Sequence, residues 1–155
     1  MDTMKANELM IGNLVRVNKN VCIKKDTVVK VKAIDGDNFL REDGLKGCAT
    51  CEVIGDYFRS TYGVWCEYLA PIPLTHEILT KNGFVLKKTK FETFELYQLL
   101  FHTDTDTTSA PSFLEYSLEF GTLFINDGRV PKPVKYVHEL QIAYKMCGIE
   151  KEVVI

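Results

Sequence analysis

Two histidine–glutamate pairs stand first among the residues able to do chemistry: His76-Glu77 in 71-PIPLTHEILTKNGF-84 and His138-Glu139 in 136-YVHELQIAYKMCGI-149. A zinc protease helix needs a second histidine four residues after the first, so that both imidazoles face one metal ion. Those positions hold Thr80 and Ile142, and the motif fails twice. The remaining histidine, His102, sits in a third segment, so a three-imidazole centre would require three separate elements to converge. Ordinary surface and cap positions explain them with less. Glu77 and Glu139 fall at helix starts, where a carboxylate offsets the positive end of the helix dipole by about 0.3–1 kcal/mol.

The pair 48-CATC-51 is half of a zinc ribbon or a thioredoxin-like redox motif. The redox reading requires a helix start after a strand, and this region reads as strands and turns. The zinc reading requires two further thiolates. Cys22 and Cys66 supply that stoichiometry with Cys48 and Cys51, although neither belongs to a second close pair; incidental thiols around a hairpin are the competing explanation. The stretch 16-RVNKNVCIKKDTVVKVK-32 carries Arg16, Lys19, Lys24, Lys25, Lys30 and Lys32 against Asp26 alone. On a small barrel such a face holds a nucleic-acid backbone, with Tyr57, Phe58, Tyr62 and Trp65 as stacking surfaces. Lysines on the wet side of an edge strand also guard routinely against aggregation. The run 104-DTDTTS-109 crowds oxygen ligands but lacks the glycine and distant glutamate of a calcium loop. GDYFRSTYG is not a phosphate cradle, there is no Gly-x-Ser-x-Gly, and no spacing selects a Ser/His/Asp triad.

The elements that must position these residues belong to a chain of 155 residues, 46% hydrophobic and 26% charged, enough for a substantial core in one domain or two small lobes. Nineteen Lys and Arg against 21 Asp and Glu leave a formal charge of −2, which gives no overall pull toward nucleic acid. The start, MDTMKANELMIG, does not read as a secretion signal, and no apolar run is long enough to span a bilayer. Five cysteines, an odd number without framework spacing, point to reduced thiols and a cytoplasmic location.

Short strands are expected over about 9–70, at 14–17, 29–33, 39–42, 52–54 and 64–69, with Asp35-Gly36 and Asp43-Gly44 as turns. They predict a small, strongly bent sheet or barrel of the SH3-like kind. In the middle stretch, Thr75 reads as an N-cap, Leu74 and Leu79 as a hydrophobic staple, and Gly83 as the left-handed stop, with Phe84 folding back on Leu79. Residues 84–101 read as one or two strands and 103–112 as an exposed loop. Over 113–125, Leu114, Tyr116, Leu118 and Phe120 share one face, with Glu115, Ser117 and Glu119 toward solvent. A closing helix buries Val137, Leu140, Tyr144 and Cys147, and the tail 150–155 reads as an edge strand or a frayed end.

Three segments, IGNLV (Ile11 to Val15), PIPLTHEILTKNGF (Pro71 to Phe84) and KYVHELQIAYKMCGIEKEVVI (Lys135 to Ile155), together resemble a family of small proteins from Bacteroidetes genomes and their phages. Members carry an IGN-hydrophobic start, a PIPLTEEILLKNGF-like middle and a KYVHELQNLYFALTG-like end, in that order. The resemblance implies an accessory or virion role and brings no catalytic or ligand residues with it. His76 stands where that family usually has glutamate.

The expectation is an α+β protein: an SH3-like barrel lobe over 1–70, then an antiparallel sheet over 71–155 with a short middle helix and a C-terminal helix, the two sharing a core or standing apart. Without a complete catalytic constellation, the sequence points to a non-catalytic binding or assembly protein with a protein partner, no cofactor and no membrane. The alternatives are nucleic-acid binding through Arg16, Lys19, Lys24, Lys25, Lys30 and Lys32, and a zinc-dependent protein through Cys22, Cys48, Cys51 and Cys66.

Overall fold

The structure, a computed structural model, describes residues 3–4, 8–35, 47–57, 59–87, 95–101, 111–126 and 128–155. The expected strand at 39–42, Gly36 of the first flanking turn and the whole of Asp43-Gly44, Phe58, His102 and most of the loop at 103–112 lie outside the described residues. The chain is mixed α and β, its strands antiparallel, and divides into two compact units, Met1–Ile72 and Pro73–Ile155.

In the first unit the strands are β1 (Leu14–Val17), β2 (Val28–Asp35), β3 (Cys48–Val53), β4 (Thr61–Trp65) and β5 (Leu69–Ala70), in the spatial order β4-β3-β2-β1-β5. Period-two patterning decides the faces. Val15 and Val17 on β1, Val29 and Val31 on β2, and Ala49 and Cys51 on β3 are all fully buried. With Met4, Leu9, Ile23, Val64, Cys66 and Leu69 they form the core. The expected single strand over 64–69 is broken by a 3-10 turn at Cys66–Tyr68. That turn explains the shape. It joins β4 and β5, which lie on opposite edges of one sheet. A flat five-stranded sheet would put those edges about 19 Å apart at about 4.8 Å per strand. The four Cα–Cα steps from Trp65 to Leu69 reach at most about 15 Å at 3.8 Å each. The sheet therefore has to curl, and it is a half-barrel. A register shift between Val31 and Ala33 adds a bulge at Lys32 that steepens the bend.

In the second unit β6 (Val85–Lys87), β7 (Leu96–Phe101), β8 (Ser112–Ser117), β9 (Thr122–Ile125) and β10 (Gly128–Arg129) form a meander in which each strand pairs with the next. Two expectations fail here. β8 stops at Ser117 and the chain turns over 118–121, so Phe120 is 57% exposed rather than aligned with Tyr116. Ser117, expected toward solvent, is buried. The turn is forced at Gly121, whose φ of +60° favours glycine and whose added Cβ would stand 3.1 Å from Lys135 Cγ.

Helix α1 (His76–Lys81) begins with Thr75 Oγ1 accepting from Ile78 N at 3.3 Å. It closes with Phe84 N donating to Leu79 O at 3.1 Å and Gly83 N to Thr80 O at 3.0 Å, the paired bonds of a Schellman stop. Helix α2 (Val137–Met146) ends the same way, Ile149 N donating to Tyr144 O and Gly148 N to Lys145 O. The tail is neither a strand nor a frayed end. Val153 is buried, and the fully buried Asn82 holds Val154 through both ends of its amide, with Nδ2 donating to the carbonyl at 2.7 Å and Oδ1 accepting from the amide at 2.9 Å.

Candidate functional site

The outer face of the half-barrel gathers the cations. Leu14 faces Lys30, Arg16 faces Val28 and Lys30 faces Glu52, so Arg16 and Lys30 are diagonal neighbours on the side opposite the valine core. Lys32, at the bulge, places its Nζ 2.8 Å from Glu52 Oε2. Glu52 is held below the ordinary carboxylate range chiefly by the Lys32 hydrogen bond, then by the charges of Lys32, Arg59 and Lys30, against the opposing effect of partial burial. Arg59 therefore joins Lys30 and Lys32 around one carboxylate, a member the sequence reading missed, with Arg16 one strand away beside Lys30. The neighbourhood of Arg59 to Glu52 depends on the β3–β4 register.

The other three predicted cations lie in the β1–β2 connection. Lys19 sits over the Tyr68 ring, 4.8 Å from its centroid, a cation–π contact. Lys24 and Lys25 are exposed, in a turn fixed by Lys25 N donating to Asn20 Oδ1 and by Asp26 at φ +66°. The same connection reaches the β4 edge, where Cys22 Sγ donates to Gly63 O at 3.8 Å. That contact covers part of an edge that would otherwise template another strand.

Between β3 and β4 a tight turn carries Tyr57, which is 93% exposed. In this connection Gly55 has φ +84° and Arg59 φ +48°. Arg59 N donates to Asp56 O, and Ser60 N to Asp56 Oδ2. Ile54 beside it is 46% exposed. Trp65 is half-buried and pairs with Cys48 on the outer face, whereas Tyr62 packs against the core. Of the four aromatics expected to stack, only Tyr57 is presented wholly to solvent among the described residues.

The zinc reading meets strand parity. Cys48 and Cys51 lie within β3, not at a turn, and an odd spacing sends their side chains to opposite faces. Cys51 enters the core beside Cys66, and Cys48 points outward, where its Sγ would touch a Cβ added at Gly63. Burial pushes Cys51 up to about 12, with smaller contributions from Cys66, Cys48 and Cys22, and burial pushes Cys66 up to about 11. These thiols stay protonated at neutral pH, the wrong state for a ligand or a nucleophile. Among the described residues no three His, Cys, Asp or Glu side chains are placed to hold a metal ion. Cys22, Cys48, Cys51 and Cys66 are neighbours, with Cys48 and Cys51 on opposite faces of β3.

The two His-Glu pairs separate in role. His138 is buried, its ring stacked on Tyr136 at 5.8 Å. Glu139 Oε2 accepts from the backbone amides of Lys135 and Tyr136 at 2.7 and 3.1 Å, a helix-start role. Glu77 pairs with Lys81 one turn on. His76 is different. Its Nδ1 lies 2.8 Å from the Tyr97 hydroxyl, which donates to Glu95 Oε2 at 2.9 Å. Nothing in the sequence signals this chain, because α1 and β7 meet only through the fold.

Among the described residues no helix is long and apolar enough to cross a membrane. Compared with known proteins, the chain matches no family model, no curated protein and no solved structure.

Proposed function

We propose that this protein acts by binding, and that its first unit, a barrel of the SH3-like kind, holds single-stranded nucleic acid across its outer face. The observation that carries the reading is Tyr57, 93% exposed on a turn pinned by Asp56 and flanked by Arg59. An exposed aromatic ring beside an Asp56 that accepts from Arg59 N and Ser60 N is partly pre-organised for stacking, so less conformational entropy is lost when a base lands on it. Arg16, Lys30, Lys32 and Arg59 supply the cations that a phosphate backbone requires. Glu52, paired with Lys32 and close to Lys30 and Arg59, offsets the repulsion among those three. The net charge of −2 does not oppose this, since the cations of 16–32 are concentrated in one segment.

A protein partner with an acidic surface is the second reading, favoured by Ile54, which adds an apolar contact beside Tyr57. Binding of a fluorescent single-stranded oligonucleotide, followed by anisotropy from low to physiological salt, separates the two. The nucleic-acid reading expects affinity to fall with a log–log salt slope of about −0.7 per phosphate neutralised. It also expects Tyr57→Ala to weaken binding by about 1–3 kcal/mol, the worth of one stacked base. Lys30→Glu with Arg59→Glu should reduce both the affinity and the slope. Absence of binding at low salt, or binding indifferent to these changes, removes nucleic acid from the face.

A further inference from the structure

The chain from His76 through Tyr97 to Glu95 in the second unit is independent of the nucleic-acid reading and has its own chemistry. Tyr97 is fully buried, while His76 and Glu95 are exposed. A phenol has one proton, and in this arrangement it goes to Glu95 Oε2. The hydrogen in the 2.8 Å contact between His76 Nδ1 and the Tyr97 oxygen must then come from the imidazole. This fixes the tautomer. In the neutral ring the proton is on Nδ1, and the lone pair sits on Nε2 of an exposed imidazole. The ring is held edge-on to Tyr97, with centroids 5.6 Å apart and planes at 63°, so its orientation is set as well as its protonation.

The order imidazole N–H, oxygen, carboxylate is the logic of a catalytic triad with a phenol interposed: a base whose second nitrogen is oriented by a partner that a third group orients in turn. Burial, then the hydrogen bond to Glu95, pushes the Tyr97 hydroxyl up to about 12, so it remains a phenol at neutral pH and keeps the chain directional. Hydrogen bonds aligned head to tail polarise one another, which raises electron density on Nε2. The neighbouring Glu77 is engaged with Lys81.

We propose that His76 Nε2 is a nucleophilic site that accepts the acyl group of small activated esters or thioesters, with Tyr97 and Glu95 as positioning residues. The Nε2 lone pair attacks the carbonyl carbon. The bond to the leaving oxygen or sulfur breaks, and the leaving group departs with that electron pair. The resulting acyl-imidazolium keeps its Nδ1–H on Tyr97, where the developing positive charge strengthens the hydrogen bond toward the Glu95 carboxylate. A water oxygen then attacks the acyl carbon, the C–N pair returns to Nε2, and one proton passes to solvent. The net reaction is ester plus water to acid plus alcohol, or the thiol equivalent.

Two measurements on the full chain test this. Side-chain nitrogen NMR at a pH where the ring is neutral should show Nδ1 protonated and Nε2 unprotonated. Tyr97→Phe should lose that signature and return the averaged pattern of a free imidazole. Para-nitrophenyl acetate is the probe for the second: release of nitrophenolate above the His76→Gln background should fall in Tyr97→Phe and in Glu95→Ala. It should persist in Glu95→Gln, whose carbonyl still accepts from the phenol. Glu95 is exposed, so its variants report on the chain even if Tyr97→Phe unsettles the core. An Nε2–H tautomer in the unaltered protein overturns the proposal, as does a hydrolysis rate that His76→Gln leaves unchanged. A Tyr97→Phe or Glu95→Ala protein as fast as the parent removes the positioning role.

Discussion

Replacing Asn82 by alanine tests how the C-terminal tail is held. Its side chain makes three hydrogen bonds: Nδ2 to Ile78 O at 2.7 Å, Nδ2 to Val154 O at 2.7 Å, and Val154 N to Oδ1 at 2.9 Å. Its own carbonyl accepts from Lys151 Nζ at 3.0 Å. At about 0.5–1.5 kcal/mol net per bond, the three side-chain bonds are worth about 3 kcal/mol together. Two of them exist only while the tail is docked. Ordering the five residues 151–155 costs about 5–10 kcal/mol at about 1–2 kcal/mol each, of which burying Val153 returns about 1.5–3 kcal/mol, so the tail depends on its hydrogen bonds and Asn82 makes two of them. Asn82→Ala should therefore cost about 3 kcal/mol in the full chain and about 1 kcal/mol in a chain ending at Glu150, because only the Ile78 bond remains to be lost there. Urea unfolding of the four proteins measures the coupling, expected at about 2 kcal/mol. Amide exchange at Val153 and Val154 should rise in Asn82→Ala alone. If the substitution and the truncation add within about 0.5 kcal/mol, the tail is held by something other than this amide and the reasoning fails.

Two buried tyrosines should respond oppositely to loss of their hydroxyls. Tyr116 donates to Val134 O at 2.6 Å, so Tyr116→Phe strands a carbonyl and should cost about 1–2 kcal/mol in urea unfolding. The Tyr144 hydroxyl is buried with no partner among the described residues, so Tyr144→Phe should be neutral or stabilising by up to about 1 kcal/mol. Alkaline titration probes the same groups. Burial is the first cause that pushes Tyr97 and Tyr116 up to about 12 and Cys51 likewise to about 12, so the folded chain keeps protons that the unfolded chain loses. That stability is whole below the unfolded values, near 9 for the thiol and 10 for the phenols. It should drain away as pH rises toward 12, by about 2–3 kcal/mol per tyrosine. A urea midpoint unchanged between pH 8 and pH 11 would contradict the burial of these groups.

What the sequence reveals follows from distance along the chain. The cap oxygen of Thr75, the left-handed Gly83 and Gly148, and the reach of Glu139 to its helix start all act within five residues, so their chemistry is spelled locally. The alternation through Leu118 and Phe120 misleads because period two persists past the end of β8. The turn there is imposed by Gly121 against Lys135, which is not a local fact. Asn82 stands beside the Gly83 stop with no signal of its own, yet its amide serves a residue 72 positions away. His76 likewise finds Tyr97 across 21 positions and Glu95 through it. The contrast with CATC is instructive. A C-x-x-C binds metal only where the backbone turns, because only a turn brings thiols three apart to one side; in a strand the same spacing divides them. The sequence holds both thiols, and β3 turns them to opposite faces. At His76 the backbone does the reverse, assembling a directional hydrogen-bond chain from residues that no motif connects. Chemistry in this protein is therefore to be sought where its helices and strands meet, and less in the short patterns that first draw the eye.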